Sequence, residues 1–233
     1  STQSRSSAAS DVYKRQLVTY NHKTKIMNQF HRWIFLSLTC TFIFTSCTPV
    51  MLGLFGMKNS KTVDENTINR YSDKYNIPLV DNYELDTSYI SFLYSHDTAK
   101  YKSQIKNHYQ PLQALYYDRS GHLQSFQVNC YAGGFPNLKW DRNGIMTEFP
   151  PKQQAQLDSL VPFEKQLKYL KPLSQTESFS ESHYDYFVIV YWSRFMGRQS
   201  KRLIEIVQEN SKLASDKKIK IIYANTDDIF AEG

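Results

Sequence analysis

The stretch that most constrains the fold is 184–192, YDYFVIVYW. A near-continuous apolar run of strand length belongs to a strand buried on both faces, the kind found in parallel sheets covered by helices. Leu203, Ile206, Val207, Leu213 and Ala214 follow at helical spacing and predict an amphipathic helix. Residues 219–224, IKIIYA, supply a second buried strand. Strand, helix and strand in this order predict a right-handed βαβ unit with parallel strands. The expected fold class is therefore α/β.

The segments upstream are more polar. Residues 56–62, GMKNSKT, read as a polar tether, and a helix is expected from 63 to about 76, before Pro78. A short strand is expected within 82–94, and a polar helix over 98–109, before Pro111. Two hairpins follow. The first turns at Asp118-Arg119-Ser120-Gly121 and the second at Asp141-Arg142-Asn143-Gly144, where Asn and Gly suit a positive φ. In the strand after the first turn, Phe126, Val128 and Cys130 alternate with Gln127, Asn129 and Tyr131. That places Cys130 on the apolar face, as a small buried hydrophobe. Residues 151–171 read as helical, with Leu157, Leu160, Val161, Phe163, Leu167 and Leu170 as apolar positions and Pro162 as a kink. Residues 172–182 read as a polar linker.

The βαβ unit resembles the thioredoxin-like family at its active site. There the family reads roughly F-W-A-x-W-C-G-P-C-K. Here 191–200 reads YWSRFMGRQS, and Trp192, Ser193, Phe195 and Gly197 fit the frame. The resemblance spans 184–230. Met196 stands at the nucleophilic cysteine and Gln199 at the resolving one, with Gly197 and Arg198 between them. A thioether has no ionisable proton and an amide cannot resolve a mixed disulfide, so dithiol–disulfide exchange at this position is chemically excluded. Cys130 alone does not restore a pair. The family continues with a helix, a cis-proline strand, a further strand and a final helix, whereas no Pro follows Pro172. The resemblance therefore implies a reduced variant or a truncated relative of the thiol-disulfide oxidoreductases. In the family the strand at 184–192 is central and paired on both sides. Here the hairpin around Asp118–Gly121 is expected to cover its open edge, with the 151–171 helix on one face, giving one composite α/β domain from about Ile77.

The amino-terminal part reads as targeting. Residues 27–47, MNQFHRWIFLSLTCTFIFTSC, place His31 and Arg32 before the 12-residue apolar run 33–44. A membrane-spanning helix takes about 20 apolar residues, so the run fits a signal-peptide core instead. Thr45 and Ser46 then lead to Cys47. The segment resembles a lipoprotein signal with a relaxed lipobox, of the kind familiar in Bacteroidetes-like lipoproteins. Cleavage before Cys47 frees its amine for acylation beside the thiol, and each buried methylene of the acyl chains contributes about 0.8 kcal/mol. A plain secretory signal and a short anchor helix extending through 50–55 are the alternatives. Residues 6–16, SSAASDVYKRQ, resemble translated adapter read-through in metagenomic assemblies, and 1–26 are set aside as non-native.

Charge follows the same boundary. The net charge is +6, and six basic residues against Asp11 alone precede Cys47. The basic character belongs to the segment removed on processing, so no nucleic-acid partner is inferred from it. No Walker, dinucleotide, nucleophile-elbow or zinc-protease motif is present. His96, His108, His122 and His183 are scattered and suit ordinary surface roles. Asp227 and Asp228 at a strand end read as a solvated loop. No cofactor or metal is expected.

The expectation is a lipid-anchored protein of the cell envelope, facing the periplasm from the outer membrane. Its partners would be the membrane and a protein, and its module a non-redox thioredoxin-like one for binding or envelope assembly. The alternative from another class is an extracytoplasmic enzyme with a non-cysteine site built from Arg194, Arg198, Asp227 and Asp228 near the strand ends.

Overall fold

In the computed structural model the residues described are 56–133, 138–174 and 183–231. The first helix, α1 (Glu65–Lys74), starts where the Asp64 carboxylate accepts the Thr67 amide at 2.8 Å. It ends at Lys74, with Tyr75 as its C-cap, and Asn76 then takes a φ of 56° just before Ile77 and Pro78. Ile68 and Ser72 face inward. A short strand, β1 (Asn82–Leu85), leads into two seven-residue helices, α2 (Ser88–Tyr94) and α3 (Lys102–His108).

Strands β2 (Gln113–Asp118) and β3 (Leu123–Val128) form the first expected hairpin. Its turn is held by Asp118, whose Oδ1 accepts the amides of Ser120 at 2.8 Å and His122 at 3.0 Å. After it come a short helix, α4 (Phe163–Leu167), and the three-residue β4 (Leu170–Pro172). The last described elements are β5 (Tyr186–Trp192), α5 (Arg198–Ser211) and β6 (Ile219–Asn225).

All six strands join one mixed sheet in the order β3-β2-β5-β6-β1-β4. The pairs β5–β6 and β6–β1 are parallel; β3–β2, β2–β5 and β1–β4 are antiparallel. The hairpin thus lies along β5 on the side away from β6, with Leu115 opposite Ile189.

Strand β5 is buried on both faces, as its composition requires. Val188, Val190 and Trp192 pack with Leu203, Ile204 and Val207 of α5 and Ile68 of α1. Phe187, Ile189 and Tyr191 pack on the other face with Leu93, Ile105, Leu160 and Phe163. Alternate residues of one strand therefore feed two cores. Each large apolar side chain so buried contributes about 1.5–3 kcal/mol before entropy is counted.

Several expectations need correction. The second hairpin does not form. Asn143 and Gly144 do take φ of 61° and 70°, but they sit in a 3-10 stretch, Arg142–Thr147. The Asn210 amide of α5 donates to the carbonyls of Met146 and Glu148, at 2.8 and 2.7 Å, so that segment bonds to the helix instead of to a strand. The 151–171 helix shrinks to α4. The amides of Gln154 and Ala155 donate to the Phe126 carbonyl, each at 3.0 Å, and so lie along the outer side of β3. Leu160, Val161 and Phe163 still reach the core, and Leu157 is exposed.

Cys130 is exposed rather than buried. Strand β3 stops at Val128, and the Tyr131 and Ala132 amides turn back onto the Val128 carbonyl, so the alternation ends two residues before the cysteine. The apolar stripe of α5 is Leu203, Ile204 and Val207. Leu213 lies beyond the last turn and is exposed.

Candidate functional site

The residues singled out by the family resemblance sit where β5 gives way to α5. Their organiser is Asp227, just past β6. Its carboxylate accepts the Arg194 amide at 2.7 Å, the Phe195 amide at 3.2 Å and the Asn225 side-chain amide at 3.0 Å. It is fully buried, so the expected solvated loop is a packed corner. Burial pushes the Asp227 carboxyl above its ordinary value, against the opposing pull of these donors and of the Arg194 guanidinium. Arg194 is also buried, with Nε 3.9 Å from Asp227 and a terminal nitrogen donating to the Asn59 carbonyl at 2.6 Å.

Two serines lock the same loop. The Ser193 amide donates to Ser200 Oγ at 3.1 Å, Ser200 Oγ donates to the Ser193 carbonyl at 2.6 Å, and the Met196 amide donates to Ser193 Oγ at 3.2 Å. The loop thus folds over the first turn of α5.

Met196 is 5% exposed and Gln199 2%, so the two positions of the family's dithiol are inside the protein. Met196 belongs to the core on the α5 side of the sheet. Arg198, between them, is exposed at the helix start. Gly197 takes φ 49° and ψ −115°, and its carbonyl accepts the Tyr75 hydroxyl at 3.2 Å. A Cβ there would fall 1.8 Å from the Gly56 carbonyl oxygen.

That contact corrects the tether expectation. Residues 56–63 are docked as a strap. The Lys58 amide donates to the Phe195 carbonyl at 2.9 Å, Asn59 accepts from Arg194, and the Val63 amide donates to Asp228 Oδ1 at 3.0 Å. Of the four residues proposed for a non-cysteine enzyme site, Arg194 and Asp227 form one buried pair. Asp228 instead binds the strap and neighbours Glu84 of β1. Burial, with the charge of Asp228 and a hydrogen bond donated to it by the protonated Glu84 carboxyl, holds Glu84 above its ordinary value. Among the described residues no group of three or more His, Cys, Asp or Glu is arranged to hold a metal. Cys47, the expected lipidation site, lies outside the described residues.

A second polar feature was not legible. His108 is fully buried, stacked on Phe126 at 4.8 Å, and its Nε2–H donates to Asp158 Oδ1 at 3.0 Å. The partners are 50 positions apart, and no local pattern links them. Asp158 also lines a cavity of about 570 Å³ between the β2–β3 turn and the loop before α4, with Tyr117, Val161 and Phe163 as apolar walls. Burial pushes the Asp158 carboxyl up, but His108 and the Leu160 amide outweigh it, and the group lies below its ordinary 3.8.

A depressed carboxyl stabilises the fold above the unfolded value and loses that contribution as pH falls through the folded one. The stability difference between wild type and Asp158→Asn is therefore expected to be full at neutral pH and to shrink below about pH 4. Urea midpoints across this range check it; parallel profiles for the two proteins would contradict the assignment.

The surroundings of the Cys130 thiol favour its protonated form. Desolvation pushes it up, against the weaker pull of Lys106, and its Sγ lies 3.9 Å from Asn107 Oδ1.

The chain matches no protein-family model, no curated protein and no solved structure. Its site is therefore interpreted from its own geometry.

Proposed function

We propose that the chain is a lipid-anchored, extracytoplasmic lipoprotein whose folded part is a non-redox, thioredoxin-like module for binding or envelope assembly. One observation carries the non-redox reading: Met196 and Gln199 are buried, and beside them the 56–59 strap bonds to Arg194 and Phe195 with its Gly56 carbonyl against Gly197. The corner where the family carries out thiol exchange is here filled by the chain itself. The parallel β5–α5–β6 arrangement, with β5 paired on both sides, supports the family reading. The hairpin beside β5 comes from upstream, a departure from the family order. The anchor reading rests on Cys47 and the run before it. Among the described residues no helix is long and apolar enough to cross a membrane.

Restoring the cysteines tests the sealed corner. The double variant Met196→Cys/Gln199→Cys is expected to reduce insulin disulfides no faster than the wild type, because both thiols would be enclosed. Rapid reduction by the double variant would show an open corner, and reduction by the wild type would overturn the non-redox assignment. The anchor is tested separately with a palmitate analogue. Label is expected on the wild type and not on Cys47→Ala; equal labelling of both ends the lipoprotein reading.

A further inference from the structure

We propose that Lys58, Arg70 and Lys74, gathered around the Tyr71 ring, form a contact surface for the anionic phospholipid headgroups of the membrane that holds this chain. The inference rests on the lipid-anchor reading for its location and on the cluster's own geometry for its chemistry.

The geometry gathers three cations around one aromatic residue. Lys58 Nζ lies 4.6 Å from the centre of the Tyr71 ring and hydrogen-bonds with its hydroxyl. The Arg70 guanidinium is 5.6 Å from the same centre and Lys74 Nζ 6.0 Å. One ring attracts one cation weakly at an exposed site, and three cations sharing it add mutual repulsion. Among the described residues Lys58, Arg70 and Lys74 reach no carboxylate within 4 Å. Asp64 feels the Arg70 charge, but it caps α1 through Thr67. Asp73 flanks the group on α1.

The Tyr71 hydroxyl registers the surplus. The Lys58 hydrogen bond, the Lys58 charge and the more distant fields of Arg194 and Arg70 hold it below its ordinary value, in spite of partial burial. A cluster of this kind suits an anion with several acceptor oxygens, and a phosphodiester supplies them. The half-buried tyrosine suits the same place, since amphipathic rings settle at headgroup depth.

Position selects the membrane as the source of that phosphate. Lys58 follows Cys47 by 11 residues. Extended chain spans at most about 3.3–3.6 Å per residue, so the cluster lies within roughly 40 Å of the acylated cysteine. An acyl anchor and a basic patch on one short leash reinforce each other at an anionic surface.

The test uses the full chain as Cys47→Ala, free of acyl groups, with vesicles of phosphatidylcholine alone or mixed with phosphatidylglycerol. Phosphatidylglycerol is expected to tighten binding by about 100-fold, since roughly fivefold for each of three basic residues multiplies to that order. The gain should fall by most of that factor in Lys58→Gln/Arg70→Gln/Lys74→Gln, the remainder belonging to the basic residues before Cys47, and should drop steeply with added salt. The three side chains are exposed, so unchanged urea midpoints would show that the variant is folded. An equal phosphatidylglycerol gain in the variant overturns the proposal. So does equal binding to both vesicle types, which would reflect the apolar amino-terminal run. Displacement from mixed vesicles by millimolar inorganic phosphate would assign the cluster to free phosphate and overturn it as well. Because the tested chain carries no acyl group, a negative result here leaves the palmitate-labelling result standing, and the reverse also holds.

Discussion

Asp227→Ala is expected to lower folding stability by about 3–5 kcal/mol, the range seen when one member of a buried ion pair is removed. The carboxylate accepts three N–H groups, and without it the Arg194 and Phe195 amides lose their acceptor. The Arg194 guanidinium then stays buried with the Asn59 carbonyl as a neutral partner. Leaving a buried donor or charge without a partner is the expensive part of such a change. Urea denaturation checks it, with a lower midpoint and an unchanged slope expected. A loss under about 1 kcal/mol would mean that the strap and the serine lock hold the loop without the aspartate.

Gly197→Ala is the second large effect. The backbone there is a conformation that only glycine adopts easily, and forcing another residue into it costs about 1–3 kcal/mol. The added Cβ would also fall 1.8 Å from the Gly56 carbonyl oxygen, a backbone atom with no rotamer to change. The strap must lift or the loop must move. The expected result is a loss larger than the backbone strain alone, with faster hydrogen exchange at the Lys58 amide, which bonds to Phe195 only while the strap is seated. Gly144→Ala is the natural comparison. Gly144 also has positive φ, yet its nearest neighbours are Thr147 atoms at 3.8 and 3.9 Å, so it reports strain without a clash. Equal losses for the two variants would show that the Gly56–Gly197 crossing carries no stability.

The part of this fold that could be read in advance is the part encoded by strong short-range patterns. The runs 186–192 and 219–225 are too apolar to be half-exposed, and a helical stripe separates them, so β5, α5 and β6 appear in place. The Asp118–Gly121 turn declares its hairpin through Asp118, which bonds its own backbone two and four residues on. Asn143-Gly144 carries an equally strong local signal and gives its positive φ, but no hairpin. Whether flanking residues pair depends on a distant residue, here Asn210. Residues 151–171 fail for a similar reason. Their apolar positions serve different neighbours, with Ala155 beside β3, Phe163 under β5 and Leu157 outside, so spacing along the segment has no single period to report. At the site, Met196 and Gln199 were legible as side chains that cannot exchange a disulfide. The docking of 56–59 beside them was not, because a polar tether and a docked strap have the same composition. The His108–Asp158 pair left no trace at all, since only the folded chain brings them together.

The strand order has a consequence for how such a chain comes to hold its shape. Strands β3 and β2 occupy one side of the sheet and β1 and β4 the other, and all four precede the two that lie between them. Asp118 waits for Tyr186, and Tyr83 waits for Ala224. Until β5 and β6 arrive, the chain owns two separate two-stranded ribbons, and such ribbons are marginal alone in water. At roughly 5–20 residues per second, β2 leaves the ribosome several seconds before its inner partner exists. During that interval its inner edge, Gln113–Asp118, is a template for any other extended chain. The middle of the sheet is laid last, as a keystone is, and the contacts that close it span long stretches of sequence, which makes folding slow. Loss of either inner strand, 186–192 or 219–225, is therefore expected to leave two unjoined halves in place of a slightly weakened whole.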